Sequence, residues 1–432
     1  MSEYKQKLTE AYAYLLEMYL DESDTRPWAV AWSGGKDSTA VMGVLVRMLE
    51  TLPAEKRWRK VYAVMSDTVV ENPVLGAYMH DQVDKLSAYA KRKELPINVQ
   101  IVQRPVDKSY FVLTLGRGYF LPQSNGKGRW CTDKLKIIPQ NEALSEINPS
   151  YILIGTRLSE STTREQSIKK WAISERIGGH ASLPETNTFM VIVDWTIDDV
   201  WQYLSENNLG WTSTADVRRL YKEATGECGI NNPKGVEAKV KNMESCGARF
   251  GCWLCPVVVN DRSTEEMSKT HAWMEPLTEW RETQIKVYGN YKPMRPKGQS
   301  LADRSAELRK AEAISEQIKL ITKAGYNRAG KRMNDGQGTF TLEARKWLFE
   351  RLVDTQNLVN RLRAYDGLAP IELISAEEVH AIMALWAEDE RDYPHLLTNA
   401  AGVPISKLTD LVEGIIADEL VEEYIAKRKA AK

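Results

Sequence analysis

Between Trp28 and about Trp211, short apolar runs alternate with amphipathic stretches long enough to serve as crossover helices, and that alternation leaves few folds open. Trp28 to Trp32, Val61 to Met65, Asn98 to Gln103, Tyr151 to Ile154 and Met190 to Val193 read as buried strands. Ser38 to Leu52, Ala77 to Arg92 and Pro139 to Ile147 read as the helices between them. The pattern predicts an α/β domain built on a doubly wound parallel sheet. Ligands of such sheets sit beyond the carboxyl ends of the strands.

The first strand runs directly into "AWSGGKDST", residues 31–39. This is not a Walker A loop, because its glycines are adjacent and Asp37 separates Lys36 from Ser38. A turn from a buried strand into a helix still exposes backbone N–H groups at a helix N-terminus, which is an anion site. Gly34 and Gly35 clear the path of a phosphate, while Lys36 and the hydroxyls of Ser33 and Ser38 add charge and donors.

The other parts are less regular. Residues 1–27 supply an N-terminal helix, 28–215 the α/β domain, 216–300 a cysteine-bearing insert with a basic loop, and 301–432 a helical region. In the insert, Thr270 to Lys286 reads as helical. In the last region Leu301 to Ile321, Leu342 to Leu362, Ser375 to Trp386 and Leu408 to Ile425 read as helices, with Ser375 and Glu378 spaced as a capping box. Met1 to Leu20 has no uninterrupted apolar core suited to a signal peptide, and no apolar run approaches the roughly 18 residues of a membrane span. A cytoplasmic protein with no membrane partner is expected.

Lys and Arg number 58 against 59 Asp and Glu, so the molecule as a whole is no electrostatic nucleic-acid binder. Nucleic-acid contact would come through local basic loops, Tyr291, Lys292, Arg295 and Lys297 or Arg328, Lys331 and Arg332, or through partner proteins. The 5 cysteines fit thiolate chemistry in a reducing compartment better than a disulfide framework. Cys252 and Cys255 form a Cys-x-x-Cys pair, with Cys246 shortly before it. Spacing alone leaves zinc, an iron-sulfur cluster and a redox dithiol open.

Ser-Gly-Gly-x-Asp-Ser after the first strand resembles the pyrophosphatase loop of the N-type ATP pyrophosphatases, whose fold is adenine nucleotide alpha hydrolase-like. Asp67 and Thr68 after the second strand are similar to the nucleoside element of the phosphoadenosine-phosphosulfate reductase-like branch. Gly155, Arg157, Ser161 and Arg164 in "GTRLSESTTR" are similar to that branch's later motif. Cys131 in "RWCTDKLKIIP" resembles the segment that supplies cluster cysteines in adenylylsulfate reductases, although Trp130 stands where that family has a second cysteine.

Taken in order, "SGGKDS", "WCTDKLK", "GTRLSES", "GARFGCWLC" and "YGNYKPMR" resemble the DndC-type DNA phosphorothioation sulfurtransferases and their SspD relatives. The resemblance implies ATP, Mg2+ and a 4Fe-4S cluster as cofactors. It implies DNA, a cysteine desulfurase and other phosphorothioation subunits as partners. Ser33 to Ser38 would hold the pyrophosphate end of ATP, with Lys36 stabilising developing charge and Asp37 sharing Mg2+. Cys131, Cys246, Cys252 and Cys255 would ligate the cluster and Cys228 would relay sulfur, Cys228 and Cys246 both being candidates for the fourth ligand. The rival expectations are an assimilatory sulfonucleotide reductase, a tRNA thiolase and a non-catalytic ATP-binding scaffold. Against the reductase, no cysteine follows Cys255 in this sequence.

Overall fold

The computed structural model describes residues 2–123, 129–225, 251–258, 261–289 and 342–392. The chain forms two compact units, each assembled from two stretches: Met1–Gln103 with Thr132–Phe250, and Arg104–Cys131 with Gly251–Lys432.

The first unit is built on a six-stranded sheet of β1 (Trp28–Ala31), β2 (Val61–Ser66), β3 (Ile97–Val102), β4 (Tyr151–Ile154), β5 (Ile177–Gly179) and β6 (Asn187–Met190), in the order β3-β2-β1-β4-β6-β5. All neighbours pair in parallel except β5, which runs antiparallel to β6 with Ile177 opposite Phe189. β1 is central: Trp28 lies opposite Val61 on one side and Tyr151 on the other. The chain winds outward through β2 and β3, then returns to place β4 on the far side of β1. The reversal of winding therefore falls between β1 and β4, where such sheets open a crevice at their carboxyl ends.

Apolar residues on both faces of β1 explain its central place. Trp28, Ala29 and Val30 are fully buried, and the Trp28 ring meets Tyr19, Tyr151 and Phe189 edge-on. The helices are α1 (Glu3–Leu20), α2 (Lys36–Thr51), α3 (Pro73–Arg92), α4 (Ile138–Ile147), α5 (Thr162–Trp171), α6 (Ile197–Glu206) and α7 (Thr214–Thr225). α2 is apolar nearly all round, with Ala40, Val41, Met42, Val44 and Leu45 all buried. Its burial holds the loop that precedes it firmly against the sheet.

Arg59 ties the N-terminal segment to this unit. Its guanidinium donates to the carbonyls of Tyr19, Asp21, Asp24 and Arg26 at 3.3, 2.7, 2.7 and 2.6 Å. The buried Tyr19 hydroxyl returns a bond to the Arg59 carbonyl at 3.0 Å.

Four of the five expected strands lie within a residue or so of their predicted places. The fifth was displaced: the strand is Asn187–Met190, and the apolar run Val191 to Val193 turns inside the core, with the Val193 N–H donating to the Met190 carbonyl at 3.3 Å. A short buried apolar run satisfies a strand pattern and a buried turn equally well. β5 carried no strand signal because two of its three residues are glycine.

The second unit packs α8 (Arg262–Thr270), α9 (Glu275–Gly289), α10 (Leu342–Tyr365) and α11 (Ala376–Asp392) with a wide helical turn at Val112–Gly116. The expected capping box is present, the Glu378 N–H donating to Ser375 Oγ at 3.1 Å and the Ser375 N–H to Glu378 Oε2 at 2.9 Å. A buried ion pair of 2.7 Å joins Arg345 to Asp389. Arg345 also donates to the Gly116 carbonyl, and Trp386 Nε1 donates to that of Leu115 at 2.8 Å. The expected helices at 301–321 and 408–425 lie outside the described residues. No helix among the described residues is long and apolar enough to cross a membrane.

Candidate nucleotide-phosphate site

The loop 33–35 leaves the carboxyl end of β1 and turns into α2 at the switch point of the sheet. Gly34 adopts φ of 70°, in the left-handed region that side chains disfavour, and its carbonyl accepts the Tyr78 hydroxyl at 3.2 Å. Burial, and after it Tyr221, raises the pKa of the Tyr78 phenol, which therefore stays a donor at neutral pH.

Hydroxyl oxygens serve the loop's amides. Ser33 N–H donates to Ser38 Oγ at 3.2 Å, Gly35 N–H to Ser33 Oγ at 3.4 Å, and Lys36 N–H to the Tyr221 hydroxyl at 3.2 Å. Ser38 Oγ in turn donates to the Gly35 carbonyl at 3.1 Å.

Three charged side chains meet at the start of α2. Asp37 Oδ2 lies 3.0 Å from Lys36 Nζ, and Asp37 Oδ1 accepts Arg157 Nε at 2.8 Å. Arg157 is only 4% exposed and Lys36 only 8%, so one carboxylate faces two largely buried cations. Burial alone pulls the Lys36 pKa down. Tyr221 and Asp37 outweigh it and hold the ammonium above its ordinary value, so Lys36 carries its charge at neutral pH. Arg157 is oriented from behind, its Nη1 donating to Ser159 Oγ at 3.0 Å while that hydroxyl donates to the Trp195 carbonyl at 3.0 Å.

Gly155 makes this approach possible. A Cβ there would lie 2.9 Å from the Asp37 carbonyl carbon and 3.0 Å from Ser38 N, so the end of β4 touches α2 backbone to backbone.

Asp67 and Thr68 follow β2, both buried, and each is tied to its surroundings. Asp67 Oδ2 meets His80 Nε2 at 3.1 Å and accepts Gln103 Nε2 at 2.9 Å, while Oδ1 accepts the Val69 N–H at 2.7 Å. Val69 is a β-branched residue at φ of 65°, a strained conformation of the kind found beside functional sites. Thr68 Oγ1 donates to Glu71 Oε1 at 3.1 Å, and Lys136 Nζ pairs with the same oxygen at 2.9 Å.

Ser161 and Arg164 are placed otherwise. Ser161 Oγ caps α5 by accepting the Arg164 N–H at 3.2 Å, and the exposed Arg164 side chain pairs with Glu160 at 3.6 Å. The structure thus brings Ser33 to Ser38, Gly155 and Arg157 into one constellation and gives Ser161 a capping position.

The cysteines Cys131, Cys252 and Cys255 belong to the second unit and are half-buried. All three lie within electrostatic reach of the Tyr110 phenol, whose pKa is raised first by burial and then by Cys131, Cys255 and Cys252. The turn carrying the Cys-x-x-Cys pair is held from behind: Gln284 Nε2 donates to the Leu254 carbonyl at 2.7 Å and Arg281 Nε to the Cys255 carbonyl at 2.8 Å. Thiolates are the soft donors that iron-sulfur and zinc sites use. Among the described residues, no three His, Cys, Asp or Glu stand close enough to hold a metal ion. Cys228 and Cys246 lie outside the described residues, as do Tyr291, Lys292, Arg295, Lys297, Arg328, Lys331 and Arg332.

Sequence reasoning missed Tyr221 and Tyr78, which reach the loop from 185 and 44 residues away and carry no spacing signal. It also missed His80 and Gln103, the partners of Asp67.

The first unit is thus a mostly parallel six-stranded sheet with flanking helices and a glycine-bearing loop at its switch point, the α/β class that the sequence predicts. Residues 27–258 match the phosphoadenosine phosphosulfate reductase domain, more than half of the chain, and the protein belongs to that family.

Among solved structures, the chain is similar to phosphoadenylyl-sulfate reductase from Candida auris at 14% identity and a TM-score of 0.31, over 48% of this chain and 87% of that one. It is similar to the U34-tRNA thiolase NcsA from Methanococcus maripaludis, solved with its [4Fe-4S] cluster, at 12% identity and 0.33, over 72% and 92%. A third similarity is to the FMN adenylyltransferase of Candida glabrata, at 13% and 0.32, over 53% of this chain and 66% of that enzyme, just under two thirds of its length. No curated protein matches the sequence.

Proposed function

We propose that the protein is an ATP pyrophosphatase that activates a DNA backbone phosphate by adenylation for sulfur incorporation. The observation that carries the nucleotide half of this reading is the Lys36–Asp37–Arg157 cluster at the phosphate loop, positioned by the Gly155 contact. The DNA half is supported by the ordered motifs of the sequence.

The loop amides and Lys36 bind the β- and γ-phosphates of ATP and stabilise the charge that grows on them as pyrophosphate leaves. Asp37, a quarter exposed, offers the carboxylate that Mg2+ needs once phosphate oxygens compete for Lys36 and Arg157. A non-bridging oxygen of the DNA phosphodiester attacks the α-phosphorus and releases pyrophosphate. A hydrosulfide-level sulfur, supplied by a persulfide donor and freed by a second thiol, then attacks the DNA phosphorus and expels AMP. Keeping water out until both substrates are present prevents wasteful hydrolysis.

Cys131, Cys252 and Cys255, with Cys246, would hold a 4Fe-4S cluster, and Cys228 would pass sulfur onward. When bound, such a cluster supplies sulfide ligation or electrons. A cysteine desulfurase and further phosphorothioation subunits would deliver sulfur and DNA, in keeping with the near-neutral charge of this chain.

The test is pyrophosphate release from ATP by anaerobically purified protein, with and without DNA, followed by mass spectrometry of nuclease digests for phosphorothioate dinucleotides when sulfur donor and partner proteins are added. DNA-stimulated release with sulfur-bearing dinucleotides supports the reading. Reduction of a sulfonucleotide to sulfite with no pyrophosphate release rejects it in favour of the reductase.

A further inference from the structure

We infer that Tyr221 is an internal stand-in for phosphate: its hydroxyl takes the acceptor position at the Lys36 N–H that a phosphate oxygen takes on binding. The inference rests on the phosphate-loop reading above and adds to it a residue that the incoming ligand must displace.

Lys36 is the first residue of α2, so its N–H is one of the helix-start amides that have no partner within the helix. A buried amide of this kind needs an acceptor. Ser33 and Ser38, from the loop itself, serve the other two amides described. The acceptor at Lys36 comes instead from α7, at 3.2 Å and 185 residues away in sequence.

The same phenol reaches further into the site. Its oxygen lies 3.2 Å from where a Cβ on Gly35 would stand, so it occupies the space left clear by that glycine. Its ring carries Lys36 Nζ 5.0 Å from the centroid, which places a cation-π contact where the ammonium would otherwise face an anion. Tyr221 therefore answers both groups that the loop directs at a phosphate, the amide and the ammonium. Trp201 of α6 backs the ring edge-on at 5.6 Å and 89°.

An amide bonded to an ionised oxygen is stronger than one bonded to a neutral hydroxyl, so phosphate wins the exchange. The hydroxyl contact must nevertheless be given up, and that opposes binding. Removing the hydroxyl while keeping the ring relieves the opposition, and Tyr221→Phe should bind magnesium pyrophosphate about threefold to tenfold more tightly than wild type.

The experiment is calorimetric titration of magnesium pyrophosphate into wild type and Y221F, both shown to melt cooperatively. Tighter binding by Y221F supports the inference, as does binding seen in the variant alone. Equal or weaker binding by the variant overturns it, weaker binding meaning that the phenol donates to the ligand instead. Binding by neither protein removes the phosphate-loop reading itself and the inference with it. In wild type, hydrogen exchange gives a second check that needs no variant. Pyrophosphate should speed exchange in Thr214–Thr225 while slowing it at residues 33–38, and unchanged or slower exchange in that helix overturns displacement.

Discussion

Arg157 Nε donates to Asp37 Oδ1 at 2.8 Å and thereby fastens the segment after β4 to the first turn of α2. With Lys36 Nζ at 3.0 Å from the other carboxylate oxygen, Asp37 is the counter-charge for two cations that are almost wholly buried. Removing one partner of a buried pair leaves an uncompensated charge, which costs about 3 kcal/mol or more. Asp37→Ala should therefore lower the melting temperature and cut pyrophosphate release about 100-fold. Because pyrophosphate supplies the missing negative charge, it should raise the melting temperature of the variant by more than it raises that of wild type. Equal increments in a thermal-shift series would show that Asp37 does not balance these cations.

Gly155→Ala tests the backbone contact. The added methyl would sit 2.9 to 3.0 Å from the Asp37 carbonyl and Ser38 N, atoms that can move only if α2 moves. Overpacking of this kind costs about 1 to 3 kcal/mol. The larger effect is expected on the loop, as at least about a tenfold weaker pyrophosphate affinity measured by calorimetry. An unaltered affinity would separate Gly155 from the site.

Much of this arrangement was legible in the sequence because local pattern determines it. The alternation of apolar runs and amphipathic stretches located β1 to β4 and α2 to α4, and the glycines marked a turn at the end of β1. Topology then places Gly155 opposite Ser38, since β4 is the parallel neighbour of β1. The rest depends on contacts between distant segments. Nothing near Tyr221 announces that it meets Lys36, and Arg59 looks like any surface arginine until four carbonyls converge on it. Ser161 shows the opposite case: a serine within a recognisable motif spends its hydroxyl on a helix cap.

Arg59 gives a prediction with no link to catalysis. Replacing it with Met keeps much of the stem but leaves the carbonyls of Tyr19, Asp21, Asp24 and Arg26 without their donor. Loss of a buried charged network of this size should lower stability by about 3 kcal/mol or more. Urea melts should show the loss, while pyrophosphate affinity under native conditions stays at the wild-type value. A stability change within about 0.5 kcal/mol would mean the carbonyls are served by water instead.

Glu279 makes the stability of the second unit depend on pH. Burial first, then Glu275 and Glu282, raise its pKa from 4.5 to about 7. Between those values the folded chain keeps a proton that the unfolded chain has released, so stability falls as pH rises through the window and levels off above about 7. Partial exposure screens the effect and shrinks it. Wild type should melt higher at pH 5.5 than at pH 7.5 through this group, and Glu279→Gln should flatten that difference by stabilising the protein at the higher pH. A variant whose melting curve keeps the wild-type slope against pH would assign the dependence to other groups.

The cysteines allow the sulfur chemistry to be tested apart from the nucleotide chemistry. Cys131, Cys252 and Cys255 all act on the buried Tyr110 phenol, although Cys131 is more than 100 residues before the Cys-x-x-Cys turn in sequence. The proposed 4Fe-4S centre draws on Cys131 as well as the Cys-x-x-Cys pair, whereas a zinc site at that turn alone would not require Cys131. Anaerobically purified wild type should carry about four iron and four acid-labile sulfide per chain. Serine at position 131, 252 or 255 should each lower both to a small fraction, whereas Cys228→Ser should keep iron and lose sulfur transfer. Magnesium pyrophosphate binding should persist in all four variants, since the phosphate loop and its ion pairs are made by other residues. Full iron in Cys131→Ser would remove Cys131 from the metal centre, and one zinc per chain in wild type would reject the cluster assignment.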